Sequence, residues 1–335
     1  MSDNVISQVK SAGSEDAILN VSASPHIFSH ESVPKIMWSV TLALTPAVIF
    51  AVCHFGMPAF RTLAIGVISA VLAEVICLKF RGRNWRTVMD GSAFLTGLLF
   101  AMCLPPEVPW FLPVVGSFIA IVVAKHSMGG LGYNIFNPAH IGRAAVMLSW
   151  PVAMTTWTGM KTVDAVTTAT PLNVLKQQGY EKLVAMFGSH SEMYKDMFLG
   201  LRNGSIGETC VLLLILGGIF LIWRGYIYWA VPVAMIGTVG ILTWIFGPHG
   251  AFTGDPVFHM MAGGLVIGAF FMATDMVTTP ITHKGQIIFA VGAGALTVLI
   301  RLAGGYPEGV CYSILLMNSL TPLIDRLVKP VGFGR

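Results

Sequence analysis

Ten apolar runs, separated by short turns and one long polar stretch, constrain what this chain can fold into. Five come first: Ile36–Phe55, Leu63–Phe80, Ser92–Leu104, Trp110–Lys125 and Pro138–Trp150. The polar residues Pro151–Gly204 follow, and then Ile206–Trp223, Tyr226–Phe246, Val257–Ala273, Gln286–Leu302 and Val310–Leu323. About 20 apolar helical residues cross the hydrocarbon core of a bilayer. A chain of 335 residues therefore accommodates ten spans and one modest segment outside the membrane. Only 11% of the residues are charged, against about 25% in average soluble domains. Together with a mean hydropathy of +0.74, this excludes an ordinary soluble enzyme, a disordered protein and a nucleic-acid binder. The net charge of +4 is too small to attract a polyanion. The predicted class is an all-α integral membrane protein.

Basic residues orient the spans. With the N-terminus inside, Lys35, the Lys79–Arg86 cluster, Lys125, Arg224, Lys284, Arg326 and Lys329 all fall on the inner side. The short outer loops then hold only Arg61 and Arg301. This is the asymmetry of cytoplasmic loops, and long translocated segments escape it. The expected layout is a cytoplasmic N-terminal segment over 1–35, five helices over 36–150 and an outer-face segment over 151–205. Five more helices over 206–327 and a cytoplasmic tail over 328–335 complete it. Residues 1–35 lack a basic start leading into an early apolar run, so the first span reads as an ordinary one rather than a cleaved signal.

The two halves resemble each other. Gly91–Met102 is similar to Gly263–Thr274, and each is followed by a proline turn, another span and a glycine pair, Gly129-Gly130 or Gly304-Gly305. Asn137-Pro138 and Asn318…Pro322 come next. A repeat of five spans is odd, so the halves insert upside down relative to each other. Short, Gly/Pro-interrupted spans at matching positions point to a site near the midplane.

Polar residues inside spans are costly and mark function by default. Arg143 sits within the short fifth span, as a snorkelling or helix-pairing cation or as a cofactor or ion contact. Asp275 ends the eighth span, as an interfacial helix end or as part of an ion path. Asn134, Asn137 and His140 lie at the start of the fifth. No histidines have metal-site spacing, and His126, His249 and His283 read as interfacial residues needing no partner. The five cysteines lie in apolar runs without a CxxC, and read as small buried hydrophobes. P-loop, GxGxxG, HExxH and GxSxG motifs are missing, so any cofactor is held in a membrane-specific way.

The outer segment contains Asp164-Ala-Val-Thr167-Thr168-Ala169-Thr170-Pro171. Thr170 is placed as an N-cap, Pro171 suits the first helical position, and Leu172–Gln178 can form a short helix. A phosphate on Thr170 would meet that helix's N-terminus, where free N–H groups favour an anion.

This string resembles the covalent flavin-attachment motif of two related membrane proteins: the D subunit of Rnf ferredoxin:NAD oxidoreductase complexes and the B subunit of the sodium-translocating NADH:quinone reductase. Asp164, Thr167, Ala169 and Thr170 match the motif, while Thr168 stands where the family usually has Gly. Ser24-Pro25-His26, Asp90–Gly97, Gly132–Arg143 and Phe271–Asp275 extend the resemblance over nearly the whole chain. The length is nearer the Rnf protein. The resemblance implies a urea-transporter-like fold of ten helices in two inverted repeats. It also implies FMN joined to Thr170 by a phosphoester, and a second, non-covalent riboflavin near Asn134 and Asn137. The expected role is electron relay between ferredoxin and NAD, coupled to Na⁺ or H⁺ movement, beside other subunits of Rnf A, B, C, E and G type in a bacterial or archaeal cytoplasmic membrane. Arg143 would stabilise reduced flavin by its charge, and Asp275 is the ion-path candidate. A solute permease and a purely structural scaffold are the competing classes.

Overall fold

A computed structural model describes residues 31–156 and 170–330, apart from 203, 248, 249 and 307. All the elements named below belong to the unit Val33–Arg335. In the first half, α1 is Val33–Phe55 and α2 Met57–Phe80; α3 is Ser92–Met102, α4 Phe111–His126 and α5 Pro138–Ser149. The polar stretch between the halves contributes α6 (Pro151–Thr155), α7 (Pro171–Gln178), α8 (Tyr180–Phe187) and α9 (His190–Leu199). In the second half, α10 is Val211–Trp223 and α11 Ala230–Ile245; α12 is Pro256–Met261, and α13 is Leu265–Ile267 continued by a π-helical turn Gly268–Met272. The chain closes with α14 (His283–Ala303) and α15 (Val310–Leu327). All ten apolar runs are thus helical for most of their length. Among the described residues α1, α2 and α14 are long and apolar enough to cross a membrane, and α3, α4, α10 and α11 are shorter apolar helices.

The same local device starts five of these helices. Asn137, Thr170 and Asp255 each cap a helix whose first residue is proline, while Ser189 caps α9 and Thr282 caps α14. The capping oxygen satisfies a free N–H, and proline at the first position loses no hydrogen bond.

Side-chain size is sorted opposite to a soluble bundle. On α2, Ala59, Gly66, Ala70 and Ala73 are buried while Phe60, Ile68, Leu72 and Ile76 are exposed. On α1, Ala43, Ala47 and Ala51 face inward, with Leu42 and Ile49 outward. Lipid solvates large apolar side chains, whereas small ones let helices approach. The contact of α2 with α3 shows how close: a Cβ on Gly97 would lie 2.7 Å from Ala70 Cβ and 2.9 Å from the Gly66 carbonyl. Alanine at Gly97 would push the two helices apart.

Packing partners recur between halves. Helix α2 packs on α3 and α4, as α11 packs on α12, α13 and α14; α4 meets α5, as α14 meets α15. The halves join through α1 against α10 and α5 against α15. One apolar core runs through both.

Two expected spans are interrupted. The run Val257–Ala273 breaks after Met261, where Ala262 is extended and Gly263 takes a φ of +66°, a conformation open mainly to glycine. The run Ile206–Trp223 starts as a separate 3₁₀ turn, Ile206–Glu208, and becomes α-helical at Val211. Both breaks lie beside the buried charges described next.

Candidate functional site

Thr170 sits where its helix needs an acceptor. Its Oγ1 accepts from the Asn173 N–H at 3.3 Å, and the residue is buried. Leu172 and Val174 of α7 pack with Leu183, Met193 and Met197 of α8 and α9 and with Phe258 of α12. Lys176 Nζ donates to the Tyr306 carbonyl at 3.1 Å and also to that of Gly304, tying α7 to the loop between α14 and α15. Asp164, Thr167, Thr168 and Ala169 lie outside the described residues, as do Ser24-Pro25-His26 and His249.

Beside α7 opens a groove of about 1050 Å³, at the upper end of the range that holds cofactors. Leu172, Leu175 and Lys176 line one side, and Asp255, His259 and Arg301 also line it. Tyr180 and Tyr194 hydroxyls both donate to Asp255 Oδ2 at 2.7 Å. Burial, and then the hydrogen bond to Asp255, push both phenols above the usual tyrosine range.

A buried charge cluster adjoins this groove. Arg143 of α5 is ion-paired with Glu308 in the loop preceding α15. Arg301 donates to the carbonyls of His259 (2.6 Å) and Ala262 (2.8 Å), and Arg202 to those of Glu208 (3.0 Å) and Met261 (2.9 Å). Three of these carbonyls, those of His259, Met261 and Ala262, belong to the broken end of α12, so two guanidinium groups cap it. A Cβ on Gly263 would lie 2.9 Å from Leu172 Cδ1, 3.1 Å from Arg301 Nη2 and 3.7 Å from Glu308 Cγ. Gly263 is thus where α7, the capping arginine and the loop converge.

Sequence reasoning finds Arg143 but not its company. Arg301 reads in sequence as an outer-loop cation and Arg202 as part of the polar stretch, yet both are buried. Arg301 carries a signal, as a single charge late in a long apolar run, and Arg202 carries none.

The remaining candidates gather at another place. Asn137 Oδ1 accepts from the N–H groups of Ala139 (3.0 Å) and His140 (3.4 Å), and its amide reaches the Met272 carbonyl (3.4 Å) at the end of α13. With its amide turned to satisfy both neighbours, Asn318 accepts from the Asn137 N–H at 3.0 Å and donates to the Ile314 carbonyl at 3.3 Å. Asn134 donates to the Phe136 carbonyl (3.2 Å), while its Oδ1 is buried without a partner. Asp275 closes a turn, accepting from Thr278 Oγ1 (3.0 Å) and the Val277 N–H (3.4 Å). Asn134, Asn137 and Asp275 line one cavity of about 90 Å³, together with Ser92 and Lys125.

Lys125 and His126 correct the interfacial reading of the inner residues. Lys125 Nζ lies 2.9 Å from Glu74 Oε2 and 2.8 Å from Ser92 Oγ, and His126 Nε2 lies 3.0 Å from the same Glu74 oxygen. Both are buried. Four of the cysteines are buried as expected, and Cys53 is exposed. Among the described residues no His, Cys, Asp or Glu group is arranged to hold a metal ion.

A profile described as the NQR2, RnfD, RnfE family matches residues 20–334. The chain belongs to that family. A relative from Clostridium ljungdahlii, named as the D subunit of a proton-translocating ferredoxin:NAD(+) oxidoreductase complex, is 67% identical over 95% of this chain and 96% of its own length. The D subunit of the Na(+)-translocating ferredoxin:NAD(+) oxidoreductase complex of Acetobacterium woodii is 44% identical over 94% and 95%. The D subunit of an ion-translocating oxidoreductase complex of Stutzerimonas stutzeri is 39% identical over 91% and 93%. Membership and the apolar helices together make this a multi-pass membrane protein.

Proposed function

We propose that this chain is the D-type subunit of an ion-translocating ferredoxin:NAD oxidoreductase complex, with FMN joined to Thr170 through its phosphate. The observation that carries the reading is the place of Thr170. In a family member, it caps the N-terminus of α7, beside a groove of about 1050 Å³ that Lys176 and Arg301 line. The residues fit the group. A phosphate on Oγ1 meets the first N–H groups of α7, the groove has room for a tricyclic ring, and two cations line it. When bound, the flavin supplies electron transfer; the protein orients it and sets its electrostatics. Arg301, anchored on two carbonyls, is rigid and adds positive charge beside the groove. Arg143 acts at one remove, because its charge is taken by Glu308.

Ten spans in two inverted repeats are part of the same proposal. The recurring helix partners support it, and so does the hydrogen bond between Asn137 and Asn318, which hold matching places in the two halves. Both termini are then cytoplasmic and residues 151–205 face outward. The small cavity at Asn134 and Asn137 has polar groups suited to a flavin edge, but 90 Å³ is far below the volume of a tricyclic ring. No riboflavin is assigned to it. As the coupled ion, the proton is favoured by the name of the 67% identical relative.

Intact-mass measurement and peptide mapping of the purified native chain test the proposal. The expected result is one FMN on Thr170, and loss of in-gel flavin fluorescence in Thr170→Ala with the protein still inserted. A colourless chain with unmodified Thr170 would overturn the reading and favour a solute permease.

A further inference from the structure

Among the described residues, one carboxyl oxygen of the buried charge cluster is left without a hydrogen-bond partner. Glu308 is ion-paired with Arg143. Glu208 has no cation within ion-pair distance among the described residues, although it is 4% exposed. Its Oε1 is buried without a hydrogen-bond partner, and Glu208 and Glu308 both lie against the Gly263-Gly264 step: a Cβ on Gly263 would lie 3.7 Å from Glu308 Cγ and one on Gly264 3.9 Å from Glu208 Oε1. The nearby Arg202 and Arg301 direct their Nη groups at main-chain carbonyls instead. Two ionised carboxylates held at one place repel each other, and a proton on one of them relieves this. A bare, buried carboxylate oxygen is also far costlier than the carbonyl oxygen of a neutral acid.

We propose that Glu208 and Glu308 form a proton-binding site that holds one exchangeable proton on Glu208, and that this proton responds to the charge of the redox group on Thr170. The second clause rests on the flavin reading; the first does not. Glu308 keeps its charge because Arg143 faces it. The titratable and charged groups packed around the pair are Arg143 and His140 from α5, Cys103 after α3, Cys311 from α15, Arg301 from α14, His259 from α12 and Arg202 from the preceding loop. Among the described residues no His, Cys, Asp or Glu group is arranged to hold a metal ion, whereas a proton needs only one carboxyl oxygen. The link to α7 is short, since Leu172, Arg301 and Glu308 converge at Gly263.

Loss of one negative charge from the group on Thr170, its electron going to a neighbouring redox subunit, would weaken the hold on the proton. The Glu208 O–H bond then breaks, leaving a carboxylate, and the proton passes to water on the outer face. An electron arriving from the preceding centre of the complex reverses both changes.

Infrared difference spectroscopy of the purified complex tests this, using a pH jump in one series and reduction in another. The expected result is a carboxylic C=O stretch that shifts in D₂O, responds to both perturbations and is lost in Glu208→Gln. A second measurement needs no flavin. Glu208→Gln keeps an N–H donor toward Glu308 and should leave the melting midpoint unchanged, whereas Glu308→Gln strands Arg143 and should lower it. A band that persists in Glu208→Gln, or equal melting losses in the two variants, would overturn the proton site. Carboxylate shifts that follow Na⁺ instead of pH would overturn it in favour of a metal cation. A band that answers pH but not reduction of a flavin-bearing complex would overturn the coupling alone. Thr170 found unmodified leaves the pH-jump and melting results to decide the first clause.

Discussion

Replacing Glu74 by Gln should destabilise the protein more than replacing both members of its ion pair. Lys125 is 1% exposed, and its ammonium group has two partners, Glu74 Oε2 at 2.9 Å and Ser92 Oγ at 2.8 Å. At an effective dielectric constant near 20, unit charges at that separation attract by roughly 6 kcal/mol. Desolvation offsets part of this, and removing one member of a buried pair costs about 3–5 kcal/mol in practice. Glu74→Gln keeps the shape and one acceptor but leaves the ammonium uncompensated, so a loss in that range is expected. Lys125→Met should lose less, because His126 Nε2 still lies 3.0 Å from the Glu74 oxygen as a partner. The double variant buries no charge and should be more stable than Glu74→Gln alone. Equilibrium unfolding of the detergent-solubilised chain in mixed micelles, followed by tryptophan fluorescence, measures all four proteins. Additive losses, or a Glu74→Gln loss below about 1 kcal/mol, would refute the reasoning.

Two further outcomes follow from the helices around the large groove. Tyr180 and Tyr194 are held neutral by burial and by Asp255, so their contribution to docking α8 and α9 is complete below about pH 10, the unperturbed tyrosine value, and is lost as pH rises through their raised values. Spectrophotometric titration should show two late tyrosinates, absent from a Tyr180→Phe/Tyr194→Phe variant. Gly263→Ala adds a methyl at positive φ, 2.9 Å from Leu172 and 3.1 Å from Arg301. It should cost more than about 1 kcal/mol and release α7, seen as faster proteolysis within residues 171–199.

The helices are legible in the sequence because each is a continuous apolar run that satisfies its own backbone hydrogen bonds. Thr170 and Asn137 are equally legible as caps, since a cap and its helix are neighbours in the chain. What stays hidden depends on distant partners. Glu308 lies 165 residues from Arg143, and Glu74 lies 51 from Lys125, so no local pattern announces either pair. The break in the eighth run has a visible mark, Gly263-Gly264, but similar glycine pairs occur inside intact helices, as at Gly217-Gly218 in α10. The capping of that break by Arg202 and Arg301 separates the two cases, and it is a tertiary fact.

The pairing of Arg143 with Glu308 also bears on how the protein is made. When the fifth helix leaves the ribosome, the residue that will neutralise it has not been translated. A 12-residue helix carrying an arginine gains too little from lipid to partition alone, since a central arginine opposes insertion by about 2.5–3.5 kcal/mol. The segment must therefore wait at the translocon, or beside earlier helices, until synthesis reaches residue 308. Nascent chains arrested before that point should leave Arg143 accessible to water, and longer ones should seal it.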